Sequence, residues 1–272
     1  MTSALRPLPG AVTSNAAAAN DPPRLLDQLA QALRARHYSR RTERAYTFWV
    51  RRFILFHGKR HPKDMGSNEV TAFLSSLAVD DGVSSSTQNQ ALAAILFLYR
   101  FVLDVDLPWL GELVRAKRPG RLPIVLARDE VGRVLAAMTG TSALVGKLLY
   151  GAGLRLLECL CLRVKDVDFA GNLLRIREGK GNRDRVAILP VQIREALRVH
   201  LQAREAIHRR DLESGAGWVA LPDAIGRKYP NAGREWAWQW VFAATRCYDD
   251  PTTGQVRRHH LHETVLQREM RR

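Results

Sequence analysis

Two short stretches of this sequence carry the side chains best suited to chemistry on a phosphate. The first is Tyr150-Gly-Ala-Gly-Leu-Arg-Leu-Leu-Glu-Cys-Leu-Cys-Leu162. Two glycines break one helix there, and Arg155 opens the next among apolar neighbours. A guanidinium in such a place is expected to be partly buried, and burying that charge demands an anionic partner. Glu158 follows one helical turn later and shares the face of Arg155, so it can orient the guanidinium. The same pair also reads as a structural salt bridge. The second stretch is Gly179-Lys-Gly-Asn-Arg-Asp-Arg185, in which a glycine on each side of Lys180 lets backbone approach a ligand closely. It is not a Walker A loop, because the four-residue spacer and the Lys-Ser/Thr pair are absent. Alone, it reads as a solvated hairpin. Together, an arginine at a helix start and a lysine on a β-turn suit the stabilisation of a phosphoryl transition state.

The bulk properties fit such a site. Lys and Arg number 42 against 27 Asp and Glu in 272 residues, a net charge of +15 that favours a polyanionic partner. Ribosomal, membrane-surface and merely soluble basic proteins share that charge, so it selects no one of them. No apolar run reaches the length of a membrane span. The N-terminus lacks the charged and apolar regions of a secretory signal, so a cytoplasmic protein is expected. Cys159, Cys161 and Cys247 cannot build a disulfide framework and read as thiols in a reducing compartment.

The elements that must position the two stretches follow from periodicity. Residues 1–20 read as a flexible tail and 21–112 as an all-helical domain. Leu25, Leu29 and Leu33 share one helical face. Ser39 caps a second helix, with Tyr46, Trp49, Val50 and Phe53 inward and Arg40, Arg41, Arg44, Arg51 and Arg52 outward. A third helix is expected to be capped by Ser67, and a fourth to open within residues 84–87. Residues 113–124 form a basic linker with Arg115, Lys117, Arg118 and Arg121. Beyond it, helices over 129–138 and 144–150 precede two short strands around the Lys180 turn, and a helix resumes at Pro190. The fold class is therefore mainly α with a small β-sheet (α+β).

Trp236, Trp238 and Trp240 lie within five positions and hold half of the chain's 6 tryptophans. Their alternation signifies a strand, or a broad face if helical. Simple packing accounts for Trp236 and Trp240. His259, His260 and His262 suggest a metal, but no Cys pair or Glu at ligand spacing accompanies them, so no metal is expected.

The segments Ala152-Gly-Leu-Arg-Leu-Leu-Glu158, Leu162-Arg-Val-Lys-Asp-Val-Asp168 and Arg177-Glu-Gly-Lys-Gly-Asn-Arg-Asp-Arg185 resemble the catalytic domain of tyrosine recombinases of the phage integrase family. Within it they look like an integron integrase. His37-Tyr-Ser-Arg-Arg-Thr-Glu-Arg-Ala-Tyr46, Ser86-Thr-Gln-Asn-Gln-Ala-Leu92, Ala220-Leu-Pro-Asp-Ala224, Lys228-Tyr-Pro230 and Arg257-Arg-His-His260 extend the likeness over about residues 25–270. The resemblance implies a helical, SAM-like core-binding domain and, over residues 125–272, a partial catalytic domain closing on DNA.

It also implies roles. Arg155 corresponds to the first catalytic arginine on the scissile phosphate, Glu158 to the acid supporting it, and Lys180 to the hairpin lysine that protonates the leaving 5′ oxygen. A tyrosine attacks the phosphodiester and takes a 3′-phosphotyrosyl link, with no metal or other cofactor. Residues 216–262 match the integron-specific insertion, where Trp238, Pro251 and His260, with His259 beside it, receive extrahelical bases of a folded single-stranded site. Arg44, Arg51, Arg115, Lys117, Arg118 and Arg121 are expected on DNA phosphates. The implied partners are duplex and folded single-stranded recombination sites and a homo-oligomeric synapse at the bacterial nucleoid, with no membrane. The family also needs a later His-x-x-Arg and a nucleophilic tyrosine. The sequence stops at Arg271-Arg272 first, and Tyr38, Tyr46, Tyr99, Tyr150, Tyr229 and Tyr248 all precede that region. A truncated chain that does not cut DNA alone is the expectation, the alternative being a non-catalytic fragment that occupies recombination sites.

Overall fold

Serine hydroxyls start two helices of the first unit, because the first turn of a helix leaves backbone N–H groups without partners. The computed structural model describes residues 24–105, 124–177, 184–222 and 225–271, and the chain divides into two units between Pro123 and Ile124. Most of the expected linker, with Arg115, Lys117, Arg118 and Arg121, lies outside the described residues, as does Lys180.

The first unit contains α1 (Leu25–Ala35), α2 (Arg40–Phe56), α3 (Ser67–Val79) and α4 (Ser85–Phe101). The Ser39 hydroxyl accepts from the Thr42 N–H at 3.1 Å, and Ser84 accepts from Thr87 at 3.3 Å. The expected Ser67 cap is replaced. Gly66 holds the cap position, and its N–H donates to the Glu69 carboxylate at 2.7 Å. Glu69 closes the turn from inside, so Ser67 becomes the first helical residue. Leu29, Leu33, Val50, Phe53, Phe73, Leu77, Ile95 and Leu98 form the centre of the core. Trp49 joins it, its indole N–H donating to Gln90 Oε1 at 3.1 Å.

The second unit begins with α5 (Arg128–Ala137), α6 (Gly140–Ala152) and α7 (Leu156–Leu160). The two glycines of the first chemical stretch do different work. A Cβ on Gly151 would lie 2.7 Å from Pro190 Cγ, so Gly151 permits a close approach. Gly153, at φ 60°, ends α6 in the left-handed region. A three-stranded antiparallel sheet follows: β1 (Val167–Asp168), β2 (Leu173–Ile176) and β3 (Arg185–Ile188), in that order. Leu174 pairs with Ala187 and Ile176 with Arg185, putting Leu174, Ile176 and Ala187 on the core side. The sequence led to two of these strands; β1, only two residues long, has too few positions for a period to show.

Pro190 precedes a 3₁₀ turn that leads into α8 (Arg194–Glu213). The remaining elements are α9 (Ile225–Lys228), the hairpin β4 (Ala243–Asp249) and β5 (Val256–His260), and α10 (Glu263–Glu269). The tryptophan cluster is neither strand nor α-helix. Trp236–Trp238 make a 3₁₀ turn, after which the chain straightens so that Trp240 is buried with Val241 and Phe242. Among the described residues, no helix is long and apolar enough to cross a membrane.

Tyr99 is the buried polar tie of the first unit. Its hydroxyl sits 2.9 Å from the Pro62 carbonyl and 3.0 Å from that of Met65, fastening the turn before α3 to α4. Burial, with Glu69 adding to it, pushes the phenol up to about 12. Tyr99→Phe leaves both carbonyls without this donor and should cost about 1–3 kcal/mol in urea unfolding. A loss within error would show that the tie does not contribute.

Candidate nucleic-acid interface

Arg155 is the N-cap of α7, but it is not the buried partner that its apolar neighbours suggested. Its side chain is 58% exposed, whereas that of Glu158 is 7% exposed. The physical reason is the direction of the first turn: Leu156 and Leu160 point inward, and the cap residue before them faces out. Glu158 reaches back to accept from the Arg155 backbone N–H at 2.9 Å and from its guanidinium Nη1 at 2.5 Å. A second guanidinium meets the same carboxylate: Arg185 Nη2 donates to Glu158 Oε2 at 2.7 Å and to the Gly153 carbonyl at 3.2 Å. Burial alone would raise the Glu158 carboxyl. The Arg155 backbone N–H and the guanidiniums of Arg185 and Arg155 outweigh it and hold the group below its ordinary range. One buried carboxylate thus fixes the base of an exposed cation, an arrangement that presents Arg155 to an external anion.

A second carboxylate, Asp166, is buried 3₁₀-turn chemistry beside β2. Its side chain is 3% exposed and accepts from Arg177 Nε at 2.7 Å and from the Arg163 N–H at 3.1 Å. Arg163 is itself buried and spans to the insertion: Nη1 donates to the Trp238 carbonyl at 2.7 Å and Nη2 to the Ala220 carbonyl at 2.8 Å. Its guanidinium lies 3.8 Å from the Trp240 ring centroid. Trp238 is half-buried, with Lys165 Nζ 2.8 Å from its ring centroid. Burial, then Arg177 and Arg163 against the opposing pull of Asp166, lowers Lys165 to about 8. A cleft of about 170 Å³ opens between Glu158, Arg175, Arg177, Pro222 and Trp240.

Pro251 is exposed in the loop joining β4 and β5, and His259 is exposed on β5. His260 is half-buried, its ring 4.1 Å from that of His259 and edge-on to Trp240 at 5.5 Å. Burial lowers His260 below the usual imidazole value. The hairpin is anchored by Arg258, which grips Asp211 of α8 through two bonds of 2.7 and 2.9 Å. Trp236 packs against the core and lies 5.7 Å from the His208 ring. Trp238, His259 and His260 therefore share one region with Arg163 and Lys165, whereas Pro251 stands at the hairpin's far end. Among the described residues, no group of His, Cys, Asp or Glu is arranged to hold a metal. In the first unit, Arg44 and Arg51 are exposed on α2, at a spacing that sets them on one face with Arg40.

Sequence reasoning missed Arg163, Lys165, Arg177 and Arg185. The last two carried a legible signal: they flank the Gly179-Lys-Gly181 stretch of the sequence, and each pairs with a carboxylate, Asp166 and Glu158.

Comparison with known proteins gives a consistent result. Residues 25–109 match the phage integrase N-terminal SAM-like domain, and residues 125–272 match the phage integrase family. Integrase/recombinase proteins of Escherichia coli and Pseudomonas aeruginosa are each 51% identical over 249 residues, covering 92% of this chain and 74% of theirs. Tyrosine recombinase XerA of Thermococcus kodakarensis is 32% identical over 189 residues, 68% of this chain and 64% of its own. Among solved structures, the Tn1549 transposon integrase in complex with transposon right end DNA shares the fold at a TM-score of 0.52 and 15% identity, over 81% of this chain and 71% of that one.

Two titrations follow. A carboxyl held below its ordinary value of 4.5 in the folded state stabilises when ionised. That contribution is complete above the unfolded value and is lost as pH falls through the folded one. The urea midpoint of the parent should exceed that of Glu158→Gln at neutral pH, and the gap should close on acidification below 4.5; a gap independent of pH would contradict the ion-pair account. Separately, the emission difference between the parent and Trp238→Phe should titrate with a midpoint near 8 and lose that transition in Lys165→Met. A flat profile in the parent would remove Lys165 from the Trp238 face.

Proposed function

This chain belongs to the phage integrase family, and from that premise we propose that it binds integron-type recombination sites, as duplex and as folded single strands. The observation that carries the reading is Arg155: an exposed guanidinium held, among the described residues, by a buried carboxylate and so poised for a phosphate. A phosphodiester oxygen is the natural ligand for such a fork. Arg44 and Arg51 on α2, with Arg115, Lys117, Arg118 and Arg121, add contacts to backbone phosphates along the duplex.

In the complete reaction of this class, a tyrosine oxygen attacks the scissile phosphorus. A 3′-phosphotyrosyl bond forms as the bond to the 5′ oxygen breaks, and a proton goes to that leaving oxygen. Arg155 stabilises the five-coordinate phosphorus, Glu158 keeps Arg155 in place, and Lys180 supplies the proton. None of the 6 tyrosines within these 272 residues takes the nucleophile's place in our reading. Tyr99 is buried with its hydroxyl engaged, and Tyr38 and Tyr46 belong to the helical unit. By themselves, the 272 residues act as a site-occupying binder that does not cut.

Trp238, with His259 and His260 near it and Pro251 on the hairpin loop, receives unpaired bases. The base takes over the ring face that Lys165 covers, and the displaced ammonium meets the DNA backbone. Stacking on such a ring contributes about 1–3 kcal/mol per base and tolerates many sequences, so a hairpin's shape is read more than its sequence. The binding takes place at the bacterial nucleoid, without metal or cofactor; the homo-oligomeric synapse belongs to the complete recombinases of this class.

The test uses labelled integron-type site DNA, once as duplex and once as a folded strand. The chain should shift both in a native gel, weaken steeply with salt, and give no covalent product on a denaturing gel. A covalent product would show that one of the present tyrosines acts, and no shift at low salt would end the DNA reading. Trp238→Ala should weaken folded-strand binding about tenfold with little effect on duplex; equal losses on both would remove its role in receiving bases.

A further inference from the structure

Arg204 lies in α8 and is 9% exposed. A guanidinium taken that far out of water needs acceptors for its N–H groups. Among the described residues none is supplied: Nε is sealed from solvent without a hydrogen bond, and neither terminal nitrogen has a bond or an ion pair. The terminal nitrogens, unlike Nε, are not sealed. The buried arginines elsewhere in the second unit are met differently. Arg163 donates to the carbonyls of Trp238 and Ala220, and Arg258 donates to Asp211, Ala244 and Thr245.

The surroundings of Arg204 do not make up the difference. Asp211, two turns along α8 on the same face, gives both carboxylate oxygens to Arg258, at 2.7 and 2.9 Å. Arg258 stands opposite Cys247 across the β4–β5 ribbon, so the two side chains leave it on one face, the face that meets α8. Two guanidiniums thus share one carboxylate in a corner that holds little water. Burial lowers Arg204 from its ordinary value, and Arg258 adds to the effect against Asp211 and Cys247. His208 Nδ1, one turn along, is also sealed without a bond. Even a bond to that nitrogen would satisfy Nε and leave the terminal nitrogens open.

We propose that Arg204 is the floor of an anion site between α8 and the β4–β5 hairpin, which takes a tetrahedral oxyanion of the phosphate class, with the Cys247 thiol at its rim. A buried charge without a partner destabilises the fold, so an anion that reaches it binds with a gain the empty site forgoes. The open terminal nitrogens present the planar fork that suits paired phosphate oxygens. Asp211 bars no such ligand, because Arg258 already neutralises it. Two sources carry this chemistry: free inorganic phosphate and the phosphodiester of a bound DNA strand. The site uses none of the residues of the Arg155 centre or of the Trp238 face, and it stands without the recombinase reading.

The experiment is thermal unfolding of the full chain with inorganic phosphate or acetate at constant ionic strength. Phosphate at ten times its Kd should raise the parent's Tm by about 4 °C, and acetate much less. Arg204→Met should melt above the parent without phosphate and lose the rise, and Arg204→Lys should keep part of it. Arg209→Met, which removes a cation 70% exposed on the same helix, should keep it whole. A rise that persists in Arg204→Met, or that acetate equals, would overturn the site. Arg204→Met melting below the parent would show that the guanidinium has its partners inside the fold, and would overturn it too. Maleimide reaction at the exposed Cys247, read by peptide mass, places the anion: phosphate should slow it about threefold in the parent alone. An unchanged rate beside a phosphate-dependent rise would put the anion elsewhere. A salt series with labelled duplex separates the sources. A strand phosphate at Arg204 makes the slope of log affinity on log salt shallower by about one in Arg204→Met, and a free anion leaves it unchanged. No phosphate rise together with an unchanged slope would end the proposal. A chain that binds no DNA would defeat the recombinase reading and leave the thermal result to decide this one.

Discussion

A carboxylate taken out of water has to be met by a full complement of donors, and Glu158 sets that condition for the second unit. Its oxygens draw in the N-cap of α7, the Arg155 side chain and Arg185 at the start of β3. Removing any one of these leaves part of a buried charge unmet, which costs more than the pair contributes when whole. The consequence is geometric. The end of α6, the start of α7 and the start of β3 are tied at a single point, where the Arg155 side chain is 58% exposed and that of Arg185 38%. Of the side-chain donors that meet Glu158, the Arg155 guanidinium is the most exposed.

The same logic repeats with different consequences. Asp166 joins Arg177 to the backbone of Arg163, and Arg163 carries the connection on to the carbonyls of Ala220 and Trp238. Asp211 on α8 grips Arg258 on β5. Three buried or half-buried carboxylates thus hold the catalytic-type sheet, the tryptophan turn and the β4–β5 hairpin to the helices. Arginine suits each position because its planar fork reaches two acceptors at once, as Arg258 does with Asp211 and Arg163 does with two carbonyls. A basic chain engages part of its charge internally in this way.

The helices of the first unit were legible because their signals are local. The Ser39 and Ser84 caps and the stripe of Trp49, Val50 and Phe53 follow from spacing alone. The cap of α3 was misread because Ser67 and Glu69 both offer caps, and Glu69, acting from the third position, satisfied the free N–H of Gly66. Arg155 and Glu158 were found as a pair, but their burial was reversed, since composition near a helix start does not say which side of the cap faces solvent. Arg163 and Lys165 were invisible. Their roles depend on Trp238 and Ala220, more than fifty residues away, and no periodicity encodes that approach. The tryptophans misled for a related reason: a 3₁₀ turn followed by extended chain mimics neither the period of a strand nor that of a helix.

Arg155, held by Glu158, is proposed to bind one particular phosphate of a recombination site. Methylphosphonate substitution tests it directly, because it removes the charge of a single phosphate and leaves the rest of the duplex unaltered. The measurement is a scan of such substitutions across the site, comparing the affinities of the parent and of Arg155→Ala. One phosphate is expected at which neutralisation weakens the parent as much as Arg155→Ala does and weakens the variant no further. If Arg155→Ala instead lowers affinity by the same factor at every substituted phosphate, Arg155 contributes only general charge and the account is wrong.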